Sequence, residues 1–303
     1  MKQHINDAWI ERADGNRTGT LFFQRIIDTL GIFPAYGMLF FAAWQYAFFD
    51  RKAVDAIRDF RAHLGLPTTN FDLYRHFYSF GMTLIDRYAF LHGKGAKVHT
   101  VHDNEAWIVR EVERGKGVIL LGAHVGNWEF AGDLLVKRIK AKVHIFMYDT
   151  GTEGNEASEW GYEPAASNLI IHPLRDAASD TAVEIINTLR SGEIVCIHGD
   201  RFFGGQRTET LDFFGKPARF PAGPMAIAAI TGASVIPCFT VRTAVRRYAF
   251  SAEAPVHVEP GHRNERDERI RMAMRYYIDV LEKICRIYPR QWYNFYHFWQ
   301  LEH

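Results

Sequence analysis

From Thr29 to Phe49 the chain runs for 21 residues without a charged side chain, TLGIFPAYGMLFFAAWQYAFF. As a helix rising about 1.5 Å per residue, roughly twenty such residues would cross a hydrocarbon core of about 30 Å. Asp28 precedes the run, and Asp50, Arg51 and Lys52 close it. Tyr36, Trp44 and Tyr46 are of the type that settles at a lipid–water boundary. Gly31, Pro34, Gly37 and Gln45 interrupt the apolar pattern, as a core helix would tolerate. Two placements are open: a helix in or on a membrane, and a helix buried inside the protein. Basic residues flank both ends about equally, so orientation is not readable. The run is not a secretory signal, because Asp7, Glu11, Arg12, Asp14 and Arg17 come first.

The rest of the chain bounds the class. Among 303 residues, 36 Lys or Arg balance 35 Asp or Glu, a net charge of +1, without the basic excess of a general nucleic-acid binder. Apolar residues make up 48%, ample for a packed core. Cys196, Cys238 and Cys285 are spread too far apart for a disulfide framework or a zinc motif. Residues 52–92 read as two amphipathic helices broken at Gly65-Leu66-Pro67, the second capped within 68–72 and carrying an aromatic face of Phe71, Tyr74, Phe77, Tyr78, Phe80 and Tyr88.

Beyond residue 100, short apolar runs (117–121, 143–148, 194–198, 234–241, 256–259) alternate with helical patterns (102–114, 127–140, 175–191, 222–231, 264–288). That alternation predicts an α/β fold with a largely parallel sheet flanked by helices, preceded by the helical, membrane-associating segment. The division expected is 1–92 for the helical region and 93–303 for the α/β domain. Ligands of such sheets sit at the carboxyl ends of the strands.

One strand end carries the chemistry. In Gly115-Lys-Gly-Val-Ile-Leu-Leu-Gly-Ala-His124-Val-Gly-Asn127-Trp-Glu129, an apolar strand runs into a glycine-bounded turn holding His124. Asn127 suits the N-cap of a following helix, which puts Glu129 in its first turn, where a carboxylate favours the positive helix end. Histidine is suited to proton transfer near neutral pH, and a neighbouring carboxylate fixes its tautomer. A His followed five residues later by an acid also occurs at His144, His262 and His297, so the setting rather than the spacing marks His124. A second strand ends alike, in Ile197-His198-Gly199-Asp200-Arg201, which sets Asp200 and Arg201 on the same sheet edge. Phe213-Phe214-Gly215-Lys216-Pro217-Ala218-Arg219, ahead of a small-residue helix, reads as a loop whose backbone could hold an anion, with Lys216 and Arg219 adding charge. From Arg201 to Arg247, seven basic residues face two acidic ones, a surplus suited to phosphates, anionic lipid or an acidic carrier protein. There is no G-x-S-x-G elbow and no P-loop, and no activated Ser or Cys is evident.

The run GAHVGNWE resembles the first motif of the lysophospholipid acyltransferase superfamily: a His, four residues, then an acid. It is more narrowly similar to the bacterial lipid A late acyltransferases (lauroyl and myristoyl acyltransferases). The likeness continues through Trp9–Gly31, Leu189-Arg-Ser-Gly-Glu-Ile, Gly199-Asp200, Phe213-Phe-Gly215, Phe220-Pro221, Thr231-Gly-Ala and Pro289-Arg-Gln-Trp292. Arg201 stands where the lipid A enzymes generally have Gln, and the acidic stretch 150–167 departs from them, which marks a divergent member.

The resemblance implies an O-acyltransferase of the bacterial inner membrane, its site at the cytoplasmic face. It would move a fatty acyl group from an acyl carrier protein or coenzyme A thioester to a hydroxyl of a glycolipid. His124 would be general base and Glu129 would orient its ring; Asn127, Arg175, Asp200, Arg201, Gly215, Lys216 and Arg219 are the substrate-binding candidates. No metal and no cofactor beyond the thioester co-substrate are called for, and membrane lipid and the acyl donor, with carrier protein favoured, are the partners. A glycerol-lysophospholipid acyltransferase and a non-catalytic lipid-binding protein of the same fold are the alternatives.

Overall fold

A computed structural model describes residues 17–94, 99–127, 139, 141–148, 168–174, 178–202 and 205–299. Glu129, Arg175, the acidic stretch 150–167 and nearly all of the helix expected over 127–140 lie outside the described residues.

Four helices come first: α1 (Arg17–Leu30), α2 (Ile32–Phe49), α3 (Arg51–His63) and α4 (Asn70–Leu91). The uncharged run is not continuous, because Gly31 takes a φ of 89° and separates α1 from α2. Asp50 caps α3 by accepting from the Ala53 N–H at 3.0 Å. Thr69 and Asp72 form a reciprocal capping box at the start of α4, inside the 68–72 region expected to supply it. One face of α2 (Ile32, Ala35, Tyr36, Leu39, Ala43, Ala47) is buried, and its residues fall into two clusters shared with α4. Its other face leaves Phe33, Met38, Phe40, Phe41, Phe48 and Phe49 exposed. Half of the aromatic face of α4 is core: Tyr74, Phe77 and Tyr88 are buried, Tyr78 and Phe80 are half-buried, and Phe71 is exposed.

The remaining elements are β1 (His99–Asp103), α5 (Ala106–Glu113), β2 (Val118–Gly122), β3 (Val143–Tyr148), β4 (Leu169–Leu174), α6 (Ala178–Arg190), β5 (Ile194–His198), β6 (Thr208–Phe213), β7 (Lys216–Pro221), α7 (Gly223–Thr231), β8 (Ser234–Ala244), β9 (Arg247–Ala252), β10 (Val256–His257) and α8 (Arg263–Ile287). The main sheet runs β1-β9-β8-β2-β5-β3-β4, with β10 paired to β8, and β6 and β7 form a separate hairpin. β2 pairs in parallel with β5 and β8, and β3 with β4 and β5. The antiparallel pairs of this sheet join β8 to β9 and to β10. This is the α/β fold with a mostly parallel sheet and flanking helices. β2 and β5 are buried on both faces: Ile119, Leu121 and Val195 face one cluster, while Val118, Leu120, Ile194 and Cys196 face the other. That alternation explains why both segments read as unbroken apolar runs.

Two segments differ from expectation. The helix expected over 102–114 is shorter, because His99–Asp103 pairs with β9 as an edge strand. The loop expected around Gly215 is the turn of the β6–β7 hairpin. Phe214 and Gly215 have φ of 53° and 75°, and the register pairs Phe213 with Lys216. Alternating burial along Thr208–Phe213 and a glycine at the positive-φ position make the hairpin.

Candidate active site

Strand register creates the site. β2 and β5 are parallel neighbours with Gly122 opposite His198. Two residues further along each chain lie His124 and Asp200, so the two side chains emerge together at the carboxyl end of the sheet. His124 Nδ1 stands 2.8 Å from Asp200 Oδ1, and the His124 backbone N–H donates to Oδ2 at 3.0 Å. The indole N–H of Trp292 donates to the same Oδ2 at 3.1 Å. Asp200 is 1% exposed, yet its carboxylate is fully engaged.

Gly126 shapes the His124 turn. It has a φ of 64°, and a Cβ there would meet the Thr240 carbonyl oxygen at 2.0 Å. Only a residue without a side chain fits so close to a neighbouring strand. Asn127, expected as a helix cap, anchors the turn: its backbone N–H donates to Thr240 O at 2.8 Å, and its amide reaches Thr83 O on α4 at 3.4 Å. The α/β core and the N-terminal helices thus both hold the segment carrying His124.

Electrostatics set the protonation states. Burial pushes the Asp200 carboxyl up, but His124 and its hydrogen bond, Arg201 and His198 more than offset this and hold it well below the usual carboxylate range. For His124, burial and the Arg201 charge lower the imidazolium's pKa below the ordinary histidine value, against the opposing pull of Asp200. At neutral pH the pair is therefore a neutral imidazole beside an anionic carboxylate. The Nδ1 proton is committed to Asp200, which leaves Nε2 as the basic nitrogen.

Arg201 joins the pair: it donates to the Tyr293 carbonyl at 2.9 Å and lies over the Tyr296 ring. His198, which the sequence reading did not single out, packs edge-on to His124 with ring centroids 4.3 Å apart. Its signal was its position as the last residue of a strand whose next-but-one residue is the acid. His124, His198 and Asp200 offer metal-type ligand atoms within 4.8 Å of one another. The 2.8 Å between His124 and Asp200 is, however, a hydrogen-bond length; two ligands of one tetrahedral zinc sit about 3.4 Å apart, given bonds of about 2.1 Å.

Gly215, Lys216 and Arg219 belong to the β6–β7 hairpin. Gly215 is the hairpin turn and Lys216 the exposed first residue of β7. Arg219 donates to Thr208 Oγ1 across the hairpin and covers the Phe202 ring at 4.8 Å. The basic surplus of 201–247 is likewise dispersed. Arg207 pairs with Glu209 and Asp267, and Arg242 turns inward to Ser79 Oγ at 2.9 Å. Trp292, the last residue of the C-terminal stretch that resembles the family, is 0% exposed and ringed by Phe60, Phe213 and Phe298.

A profile of the bacterial lipid A biosynthesis acyltransferase family matches residues 77–300. The chain belongs to that family. The matched span takes in α4 from Phe77 onward, the His124 and Asp200 strand ends and Trp292. Among curated proteins it is similar to phosphatidylinositol mannoside acyltransferases. The Mycobacterium tuberculosis protein is 29% identical over 130 residues, covering 41% of this chain and 38% of the relative. The Mycolicibacterium smegmatis protein is 26% identical over 157 residues, 48% and 47% of the two chains. The alignments thus span less than half the length of these relatives. Among solved structures, the 1-acyl-sn-glycerophosphate (LPA) acyltransferase PlsC of Thermotoga maritima aligns with a TM-score of 0.38 at 12% identity, covering 88% of this chain and 96% of that one.

Proposed function

We propose that this family member is a membrane-bound O-acyltransferase that moves a fatty acyl group from a thioester, of acyl carrier protein or coenzyme A, to a hydroxyl of a glycolipid. The observation that carries the reading is the register-built pair, an imidazole whose Nδ1 stands 2.8 Å from a buried carboxylate. Nε2 of His124 takes the acceptor's hydroxyl proton as the oxygen attacks the thioester carbonyl. The C–S bond then breaks, and the imidazolium returns the proton to the departing thiolate. Asp200 takes the ring-orienting part at Nδ1 and stabilises the imidazolium, as a carboxylate partner does for a catalytic histidine. Glu129 keeps its place as the second acid of the motif. Arg201 supplies the positive charge beside the pair and is the candidate for the developing oxyanion. The glycolipid acceptor follows from the family and from the acceptor in the mycobacterial relatives' name.

The exposed aromatic face of α2 supports membrane attachment, and the family resemblance implies the inner membrane's cytoplasmic side. A helix that buries one side along α4 and shows Phe33, Phe40, Phe41, Phe48 and Phe49 on the other is built to lie in the interface rather than to cross it alone. Carrier protein is the favoured donor.

The test is His124→Ala, assayed for thiol release from an acyl thioester in the presence of lipid acceptor. Loss of a general base lowers turnover by about 10²–10⁴-fold while the circular dichroism spectrum is unchanged. A well-folded variant of full activity overturns the mechanism. The lipid species missing from cells that lack the protein names the acceptor, and a missing phosphatidic acid rather than a glycolipid replaces the acceptor assignment.

A further inference from the structure

The segment Pro289-Arg-Gln-Trp292 lies some ninety residues beyond Asp200, and its chemistry is unassigned by the reading above. It returns to the His124 turn as a strap. Gly126 N–H donates to Gln291 O at 2.8 Å, and Tyr293 N–H donates to His124 O at 2.8 Å. Val125 and Trp292 form an antiparallel bridge between these two bonds. The Gln291 side chain fastens the strap to β8, accepting from Arg242 N–H at 2.8 Å and donating to Arg242 O at 2.7 Å. Arg201 holds the far side through the Tyr293 carbonyl.

We infer that Trp292 is a positioning residue of the acyl transfer, its indole N–H holding Asp200 Oδ2 so that Oδ1 is presented to His124 Nδ1. This rests on the acyl-transfer reading with His124 as base. Oδ2 has two donors, the His124 N–H and the Trp292 indole. The first belongs to the residue being positioned, so within this set the indole is the independent anchor. It is a rigid one, because the ring is wholly buried against Phe60, Phe213 and Phe298 with centroids 4.8, 5.5 and 5.1 Å away. Without that donor the carboxylate is held less firmly and the imidazole, though still paired with it, is aimed less precisely. A carboxylate relieved of one donor is also a stronger base. It holds the Nδ1 proton harder and raises the proton affinity of Nε2.

The experiment compares Trp292→Phe, Trp292 replaced by the isosteric 3-benzothienylalanine, and Phe60→Leu as a packing control, with kcat, KM and the pH profile of kcat/KM measured on the membrane-reconstituted full chain. Both Trp292 variants are expected to lower kcat about tenfold at nearly constant KM. They should also move the acid limb of the profile upward by about half a pH unit. Phe60→Leu is expected to lower the melting temperature and leave the acid limb in place. Should Trp292→Phe fail to fold, the isostere, which keeps the ring and lacks only the N–H, decides. An isostere with unchanged kcat and unchanged acid limb overturns the positioning role, as does an equal shift in Phe60→Leu. His124→Ala in the same assay separates the two claims: if it is inactive while the isostere behaves as wild type, the positioning role alone falls. If His124→Ala is fully active, the acyl-transfer reading falls with it.

Discussion

Helix α2 and the stretch from Tyr288 to Trp299 are both crowded with aromatic rings, and the fold treats them in opposite ways. On α2, Phe41 is 67% and Phe49 79% exposed, with Phe33, Phe40 and Phe48 beside them. At the C-terminal end, Trp292 is fully buried, and Tyr293 and Phe298 nearly so. The chemistry of the rings differs in step. The open face is largely phenylalanine, which has nothing to offer water or a backbone. Several rings of the C-terminal stretch carry polar handles that find partners: Trp292 donates to Asp200, Trp299 to Phe213 O at 3.0 Å, and the Tyr293 hydroxyl lies 2.8 Å from Thr83 Oγ1. Aromatic content alone does not separate a membrane face from a site's scaffold; the distribution of hydrogen-bonding handles does.

The hardest test of this contrast is a deletion in the β6 ring against which the C-terminal rings pack. Phe213 is wholly buried among Phe214, Phe220, Trp292, Phe298 and Trp299. Phe213→Ala should cost about 3–5 kcal/mol of stability in denaturant titration. While it stays folded, its partition onto lipid vesicles should match wild type. A loss below about 1 kcal/mol would mean that the C-terminal rings are not one packed body.

The opposite result is expected on α2. Phe41→Ser with Phe49→Ser removes two rings that touch little of the protein, so stability should change by no more than about 0.5 kcal/mol. If those rings enter lipid, each is worth about 1.5 kcal/mol or more, and the double variant should bind vesicles roughly a hundredfold more weakly in flotation. Unchanged flotation, or a collapse in stability, would erase the distinction between the two regions.

The sequence made one part of this legible and hid the other for physical reasons. His124 and Asp200 could each be placed at a strand end, because both strands are short apolar runs that stop at glycine-bounded turns. Their pairing depends on β2 lying next to β5 in the 122-to-198 register, a long-range fact that no local pattern carries. The carboxylate expected to face the ring was Glu129, the acid close in sequence. The described geometry puts Asp200, 76 residues away, on Nδ1, and Glu129 lies outside the described residues. Trp292 was visible as part of a C-terminal match, yet nothing local shows that an indole will meet a buried acid. The hairpin at Gly215 reads as a loop in the sequence because Lys216-Pro217 looks like a breaker, while the cross-strand alternation of Thr208–Phe213 is short. The break at Gly31 divides a run that composition presents as one segment.

The smallest effect tests the seam between the two regions, where α4 meets the C-terminal strap. His76 is 0% exposed, lies edge-on to Tyr293 and Phe295, and makes no side-chain hydrogen bond of good geometry among the described residues. Burial first, then the charges of Arg61 and Arg290, push its pKa from 6.5 down to about 3, against slight support from the Trp292 backbone. The ring is therefore neutral in the folded protein throughout the physiological range. The unfolded chain binds a proton near pH 6.5 and the folded one does not, so acid favours unfolding. The stability tied to a neutral His76 is fully present above about pH 6.5 and is lost progressively as pH falls toward 3. Between pH 7.5 and pH 5 that loss is about 2 kcal/mol, from the linkage relation at 1.36 kcal/mol per pH unit. In His76→Leu the acid-induced drop in stability over this interval should be smaller than wild type by about that amount, every other titrating group cancelling in the comparison. Urea titrations at the two pH values measure it. An equal drop in both proteins would mean that water or a partner reaches the ring, and that α4 and the strap separate more readily than their packing implies.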